Sequence, residues 1–172
     1  DEGTLSVQPI QHGTLVLGWD GQSVYVDPTG GTSAFEGIGA PDLILITHAH
    51  GDHMDIETLK ALDTNDVTMI VPQSVADQLP SEFSDQLVIL SNGESTEQLS
   101  IPSEAVPMYN LPESDDAYHP KGWGYGYVMT FGSERVYISG DTEDIEEMRS
   151  LSDIDVAFVC MNLPCTMTPE QA

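Results

Sequence analysis

Apolar runs and their alternation with polar residues mark short β-rich segments at the start of the chain. "LSVQPI" (Leu5 to Ile10), "TLVLGW" (Thr14 to Trp19) and "SVYVD" (Ser23 to Asp27) read as strands. Asp20-Gly21 between the last two is a hairpin signal, because a type I′ turn needs positive φ and glycine supplies it cheaply. A Pro/Gly-rich loop leads to "DLILIT", Asp42 to Thr47, whose unbroken apolar centre fits a strand buried on both faces. Asp55 is a good N-cap for a helix over "IETLKAL", in which Ile56, Leu59 and Leu62 share one face. Alternation continues with "VTMIVP" as a strand, "SVADQL" as a short helix and "QLVIL" as a strand. Beyond Ser100 the pattern turns β again through "AVPMYNL", "WGYGYVMTF" and "ERVYISGD", then gives a helix near "TEDIEEMRSL" and a buried strand "DVAFVC". No repeat, low-complexity tract or linker interrupts the series, so residues 1–172 read as a single domain. The final "TPEQA" has Thr168 at an N-cap, Pro169 at the first helical position and Gln171 three residues after the cap. So few residues cannot usefully nucleate a helix. The expectation is a domain that is C-terminally incomplete, in a protein that continues past Ala172.

Composition narrows the class. A chain of about 150 residues hides roughly 70% of its unfolded surface, so 172 residues can build a core without disulfides. No apolar run approaches the roughly 18 residues of a membrane span. Against 29 acidic residues stand only Lys60, Lys121, Arg135 and Arg149, for a net charge of −25. Such a surface repels phosphates and acidic lipids at long range. A nucleic acid or membrane partner is therefore not expected, and a homo-oligomer is compatible with the chain. An acidic coat also fits a salty medium, which suggests a marine or otherwise salt-adapted, halophilic bacterium. Cys160 and Cys165 read as buried free thiols, the rival being a disulfide that closes a small loop between them. The start "DEGTLS" lacks an initiator Met and reads as processed or trimmed. It leaves the compartment open, with periplasmic or secreted slightly ahead of cytoplasmic.

The stretch "ITHAHGDHMD", Ile46 to Asp55, holds three of the five histidines. His48 and His50 are two apart, so in an extended conformation both rings point to the same side, which suits imidazole nitrogens about 2.0–2.1 Å from a common Zn²⁺. Gly51 is expected to turn the chain with positive φ and present Asp52 and His53 from another direction, to a second ion. The spacing differs from a helical H-E-x-x-H site. A polar loop with solvated histidines is the plainer alternative. The position at the C-terminal end of a buried strand favours a site, because open αβ sheets present ligand groups there.

In this setting His48, His50, Asp52 and His53 form H-x-H-x-D-H, which resembles the signature of the metallo-β-lactamase-fold hydrolases. "YVDP" (Tyr25 to Pro28), "YHPKG" with His119 and "SGDT" with Asp141 continue the resemblance in order. Within that superfamily, "HPKGWGYGYV", "YISGDTED" and "MNLPCTMTPEQA" look most like the branch that includes ascorbate-6-phosphate lactonase. The resemblance implies an α+β fold, a four-layer αβ/βα sandwich. It implies that His48, His50 and His119 hold one metal while Asp52, His53 and a bridging Asp141 hold the second. One histidine of the family pattern is absent, and His12 comes too early to match it; either it lies beyond Ala172 or the second site is depleted. Two Zn²⁺ are expected, with Mn²⁺ the alternative, since a mixed His/Asp site accepts several first-row ions. Two cations roughly 3.5–4 Å apart lower the pKa of a bridging water and polarise the electrophile. The family role of Asp52 is to orient the hydroxide and move its proton. The implied reaction is hydrolysis of a small-molecule lactone or ester. A β-lactamase, a phosphodiesterase or a non-catalytic metal-binding domain are the rivals.

Other residues have supporting parts. His12 is expected in a structural or ligand-supporting role rather than in substrate contact. Asp27 is expected to hydrogen-bond the histidine loop, because ligating histidines usually donate their other N–H to a carboxylate or carbonyl. Trp123, Tyr125 and Tyr127 alternate and share a strand face, either walling a substrate pocket or packing on the sheet. Lys121, two positions from His119, is a candidate contact for an anionic substrate group, with a solvated surface lysine as the alternative.

Overall fold

A computed structural model describes residues 3–172; Asp1 and Glu2, where the expectation of a processed start begins, lie outside the described residues. Two units are distinct, one running to Ile89 and the other from Leu90 to Ala172. The first unit contains β1 (Ser6–Gln11), β2 (Thr14–Trp19), β3 (Gln22–Val26), β4 (Leu43–Leu45), α1 (Ile56–Ala61), β5 (Thr68–Pro72) and α2 (Gln73–Ala76), with β6 (Leu87–Leu90) at its boundary. The strands form a six-stranded sheet in chain order, β1-β2-β3-β4-β5-β6. β1, β2 and β3 run antiparallel, whereas β3, β4 and β5 run parallel. Asp20 and Gly21 both take positive φ, at 48° and 78°, and close the β2–β3 hairpin across the pair Trp19 and Gln22, as the sequence predicts.

Leu43, Ile44 and Leu45 are all buried, as expected of a strand covered on both faces. Tyr25 stacks on Phe35 with ring centroids 4.8 Å apart, within a core that also takes in Ile44, Ile46, Leu59 and Met69. The Asp55 carboxylate accepts from the backbone N–H groups of Glu57 and Thr58 and so caps α1. Its hydrogen bond from the Thr58 hydroxyl, with those backbone bonds, holds its carboxyl below the usual range. α1 ends one residue before the expected Leu62, and α2 is a single turn that Pro80 follows. Two short 3-10 turns, Thr32–Phe35 and Ser81–Gln86, had no periodic signal; each is anchored by one buried aromatic, Phe35 or Phe83.

The second unit contains β7 (Ser95–Gln98), β8 (Ile101–Met108), β9 (Gly124–Phe131), β10 (Glu134–Ile138), α3 (Glu146–Arg149) and β11 (Val156–Phe158). Its five-stranded sheet has the order β11-β10-β9-β8-β7, antiparallel except for the parallel β10/β11 pair. Four of the sequence expectations need correction. β8 begins at Ile101 rather than Ala105 and pairs with β7, a polar edge strand without a hydrophobic pattern. α3 is one turn, not the span from Thr142 to Leu151, because Thr142 and Glu143 bond back to Tyr109 instead of starting a helix. β11 is half-exposed, not buried, and lies at the edge of its sheet. Cys160 and Cys165 are free thiols, half-buried rather than buried, and burial pushes the Cys160 thiol up. "TPEQA" forms a single turn in which the Thr168 N–H donates to the Gln171 side-chain carbonyl at 2.9 Å, the reach-back half of the capping pattern.

Candidate metal centre

Parallel pairing of β3 and β4 sets Val26 opposite Leu45, so Asp27 and the Thr47–His53 loop leave the same end of neighbouring strands. Asp27 has φ 46° and its carboxylate is buried. One of its oxygens accepts the Thr47 N–H at 2.7 Å; the other accepts the Thr47 hydroxyl at 2.8 Å and His53 Nδ1 at 2.7 Å. From β2 the Thr14 hydroxyl donates to the Asp27 carbonyl at 2.6 Å. Because the single Thr47 hydroxyl proton goes to Asp27, that oxygen accepts from His48 Nδ1, 2.9 Å away. Both rings therefore carry their proton on Nδ1. The lone pair of each neutral ring sits on Nε2, the atom a metal takes.

The rings of His48 and His50 lie 4.9 Å apart, centroid to centroid, and those of His48 and His53 4.1 Å apart. His48 and His53 are buried, whereas His50 is half-buried. The turn that carries them is closed by the N–H groups of His53 and Met54 on the His50 carbonyl, at 2.9 and 2.8 Å. Gly51 is not among the glycines with positive φ. The expectation of a left-handed turn is corrected here: a helix-like turn delivers Asp52 and His53. Asp52 is 57% exposed, and its carboxylate lies 3.0 Å from His12 Nε2 on the β1–β2 turn.

Gly13 is a site residue that periodicity did not reveal. A Cβ there would stand 2.7 Å from His53 Cε1 and 3.0 Å from its Nδ1. The ring cannot retreat without stretching its bond to Asp27. Gly13→Ala is expected to destabilise the protein by about 1–3 kcal/mol, the usual range for overpacking, as a fall in the urea midpoint at unchanged slope.

In the second unit the connection from β8 to β9 carries His119 and the end of β10 carries Asp141. His119 is buried, and its backbone N–H donates to Asn110 Oδ1 at 2.8 Å. His119 Nδ1 faces the same oxygen at 3.2 Å, while Nε2 lies 3.8 Å from the Asp141 carboxylate. The Asp141 N–H meets Met108 Sδ at 3.1 Å, which ties the residue to the end of β8. Asn110, like Thr47, carried no sequence signal. The three histidines with a bonded Nδ1, His48, His53 and His119, have the donor chemistry that first-row metals require.

The proposed substrate contacts are placed differently. Lys121 Nζ donates to Glu147 at 2.8 Å, lies 3.5 Å from the Tyr109 hydroxyl and sits over the Tyr109 ring. The Glu147 hydrogen bond raises the Lys121 pKa, and the same contact lowers that of Glu147. Tyr125 is only 2% exposed, its hydroxyl donates to the Leu90 carbonyl, and its ring lies edge-on to Tyr127 at 5.9 Å. Burial raises its pKa. Tyr125 is therefore packed in the sheet, the alternative use of the aromatic stripe, while Trp123 is half-buried at its start.

Comparisons with known proteins bear on the family and the fold. The profile of the Beta-lactamase superfamily domain matches residues 19–172. A UPF0173 metal-dependent hydrolase of Thermococcus onnurineus is 29% identical over 135 residues, covering 76% of this chain. The chain spans 59% of that relative's length. The crystal structure of a candidate metal-dependent hydrolase of Parabacteroides distasonis superposes with TM-score 0.87 at 40% identity, over 98% of this chain and 75% of that one. The metallo-β-lactamase fold protein YhfI of Bacillus subtilis superposes with TM-score 0.70 at 14% identity, over 92% and 71% of the two chains, a likeness of fold alone. The expected α+β fold of metallo-β-lactamase type is borne out.

Proposed function

The chain belongs to the β-lactamase superfamily, and from that premise we propose that it is a metal-dependent hydrolase of a small-molecule lactone or related ester, working through two ions. The observation that carries the reading is the commitment of Nδ1 on His48, His53 and His119 to protein oxygens, which sets aside Nε2 of each for a metal. In this reading, which follows the family resemblance, His48, His50 and His119 would hold one ion, and Asp52, His53 and a bridging Asp141 would hold the other. Such ions supply Lewis acidity and a hydroxide nucleophile near neutral pH, Zn²⁺ being our assignment and Mn²⁺ its rival.

The chain's own groups divide the remaining work. Asp27 and Thr47 fix ring tautomers and directions. Asp52, on an exposed turn, can take a proton from an attacking water and pass it to a leaving oxygen. His12, 3.0 Å away, holds that carboxylate in place. The lactone assignment follows the resemblance to the ascorbate-6-phosphate lactonase branch. The charge of −25 favours a small molecule over nucleic acid or an acidic membrane. A salt-adapted host, with a periplasmic or secreted location, extends the same reading, as does assembly with further copies of the chain.

The test is metal content together with turnover. Protein loaded and then dialysed is expected to retain about two Zn²⁺ or Mn²⁺ per chain and to open members of a lactone panel. One ion or none, with no turnover on the panel, would sink the hydrolase reading and favour a metal-binding domain without catalysis.

A further inference from the structure

We propose that Asn110 is a positioning residue: it locks His119 in the tautomer with the proton on Nδ1 and so directs the Nε2 lone pair to Asp141 and the metal. The inference rests on the two-ion reading above and names a residue to which that reading gives no part. Three contacts fix the Asn110 amide. Its Oδ1 faces the His119 backbone N–H at 2.8 Å and His119 Nδ1 at 3.2 Å, while its Nδ2 donates to the Cys165 carbonyl at 2.7 Å. A fourth bond, from the Asn110 N–H to the His119 carbonyl at 3.0 Å, closes the loop between them.

Only one orientation of the amide satisfies this set. Turned over, its NH₂ would face a backbone N–H and its oxygen would face a carbonyl. The Cys165 carbonyl thus aims Oδ1 at the ring, and an oxygen that can only accept requires the proton on Nδ1. His119 is buried and its Nε2 lies 3.8 Å from the Asp141 carboxylate, close enough for one ion to take both atoms, and with the proton on Nδ1 the lone pair stays on Nε2. A residue serving only to fasten the Cys165 segment would need no bond to the imidazole.

The chemistry separates two substitutions. Asn110→Leu keeps the size and removes every side-chain bond. Asn110→Asp keeps the acceptor for His119 and sets a second oxygen against the Cys165 carbonyl, so it loses the fastening and keeps the lock. The experiment uses the full chain with ¹⁵N-labelled histidine, metal-free at about pH 8.5 so that the ring is neutral. Long-range ¹H–¹⁵N spectra read which ring nitrogen is protonated, and competition with a chromophoric chelator reads Zn²⁺ affinity.

Wild type and Asn110→Asp are expected to show Nδ1–H at His119. Asn110→Leu is expected to move the proton toward Nε2 and weaken Zn²⁺ binding about 10–100-fold. A wild type with the proton on Nε2 overturns the proposal, as does a folded Asn110→Leu that keeps both tautomer and affinity. Should Asn110→Leu fail to fold, Asn110→Asp decides, because loss of the Nδ1–H tautomer there also overturns it. The expected tautomers in a chain that takes up no Zn²⁺ would uphold the lock and sink the two-ion reading instead.

Discussion

Replacing Asp27 by alanine is expected to lower the unfolding free energy by about 3 kcal/mol or more, from three buried donors losing their acceptor at about 1–3 kcal/mol each, and to release the histidine loop. The buried carboxylate accepts from the Thr47 N–H, the Thr47 hydroxyl and His53 Nδ1. Alanine leaves three donors without their acceptor in a space closed to water, and each such loss costs about 1–3 kcal/mol. The effect reaches His48 as well, because the Thr47 hydroxyl accepts from that ring only while its own proton is given to Asp27. An asparagine side chain would keep one acceptor but turn an NH₂ toward a donor, so Asp27→Asn is expected to cost about 1–3 kcal/mol. The exposed ion pair of Lys60 with Glu82 gives the scale of an ordinary contact; removing it by Lys60→Gln should cost at most about 1 kcal/mol. Urea unfolding of the three variants checks the order. Equal midpoints for Asp27→Ala and wild type would show that the carboxylate does not order the loop.

This network also marks what can be read from sequence. His48, His50 and His53 were legible because metal chemistry demands several ligands at short spacing beside a strand end, and Asp27 because "YVDP" resembles the early strand of the family and ligating histidines need a carboxylate or carbonyl behind them. Thr47, Gly13 and Asn110 were not. Each acts through contacts that spacing does not reveal: Thr47 across the parallel β3/β4 ladder, Gly13 by close approach to a ring 40 positions on, and Asn110 across a nine-residue connection. The fold divides similarly. β2, β3, β4, β5 and β9 follow from burial, which leaves an apolar pattern. β7 has only polar residues, and the turn before β8 is made by Leu99 and Ser100 at φ 53° and 62°, where no glycine or asparagine announces it. α3 is shorter than its pattern suggests because helix propensity in "TEDIEE" loses to bonds that Thr142 and Glu143 make with Tyr109.

Asp52→Asn is expected to reduce kcat/KM about 10²–10⁴-fold, the usual contribution of a positioned general acid or base, with little change in stability. The side chain is 57% exposed, so no buried donor is abandoned, and an exposed substitution of equal size shifts stability by about 0.5 kcal/mol or less. An amide cannot take a proton from water near neutral pH, whereas a carboxylate can. Loss of the contact with His12 is a competing explanation, and His12→Asn separates the two. Asn tolerates the left-handed backbone at φ 47°, and it removes the imidazole while leaving the Asp52 carboxylate. An exposed pair is worth about 0–1 kcal/mol, so His12→Asn should lower kcat/KM by about fivefold or less. Bound metal, counted in each variant, divides the Asp52 effect further. A loss of turnover at full metal content assigns the carboxylate to proton transfer. A loss in proportion to missing metal assigns it to holding the ion, and full turnover in Asp52→Asn would remove Asp52 from the reaction.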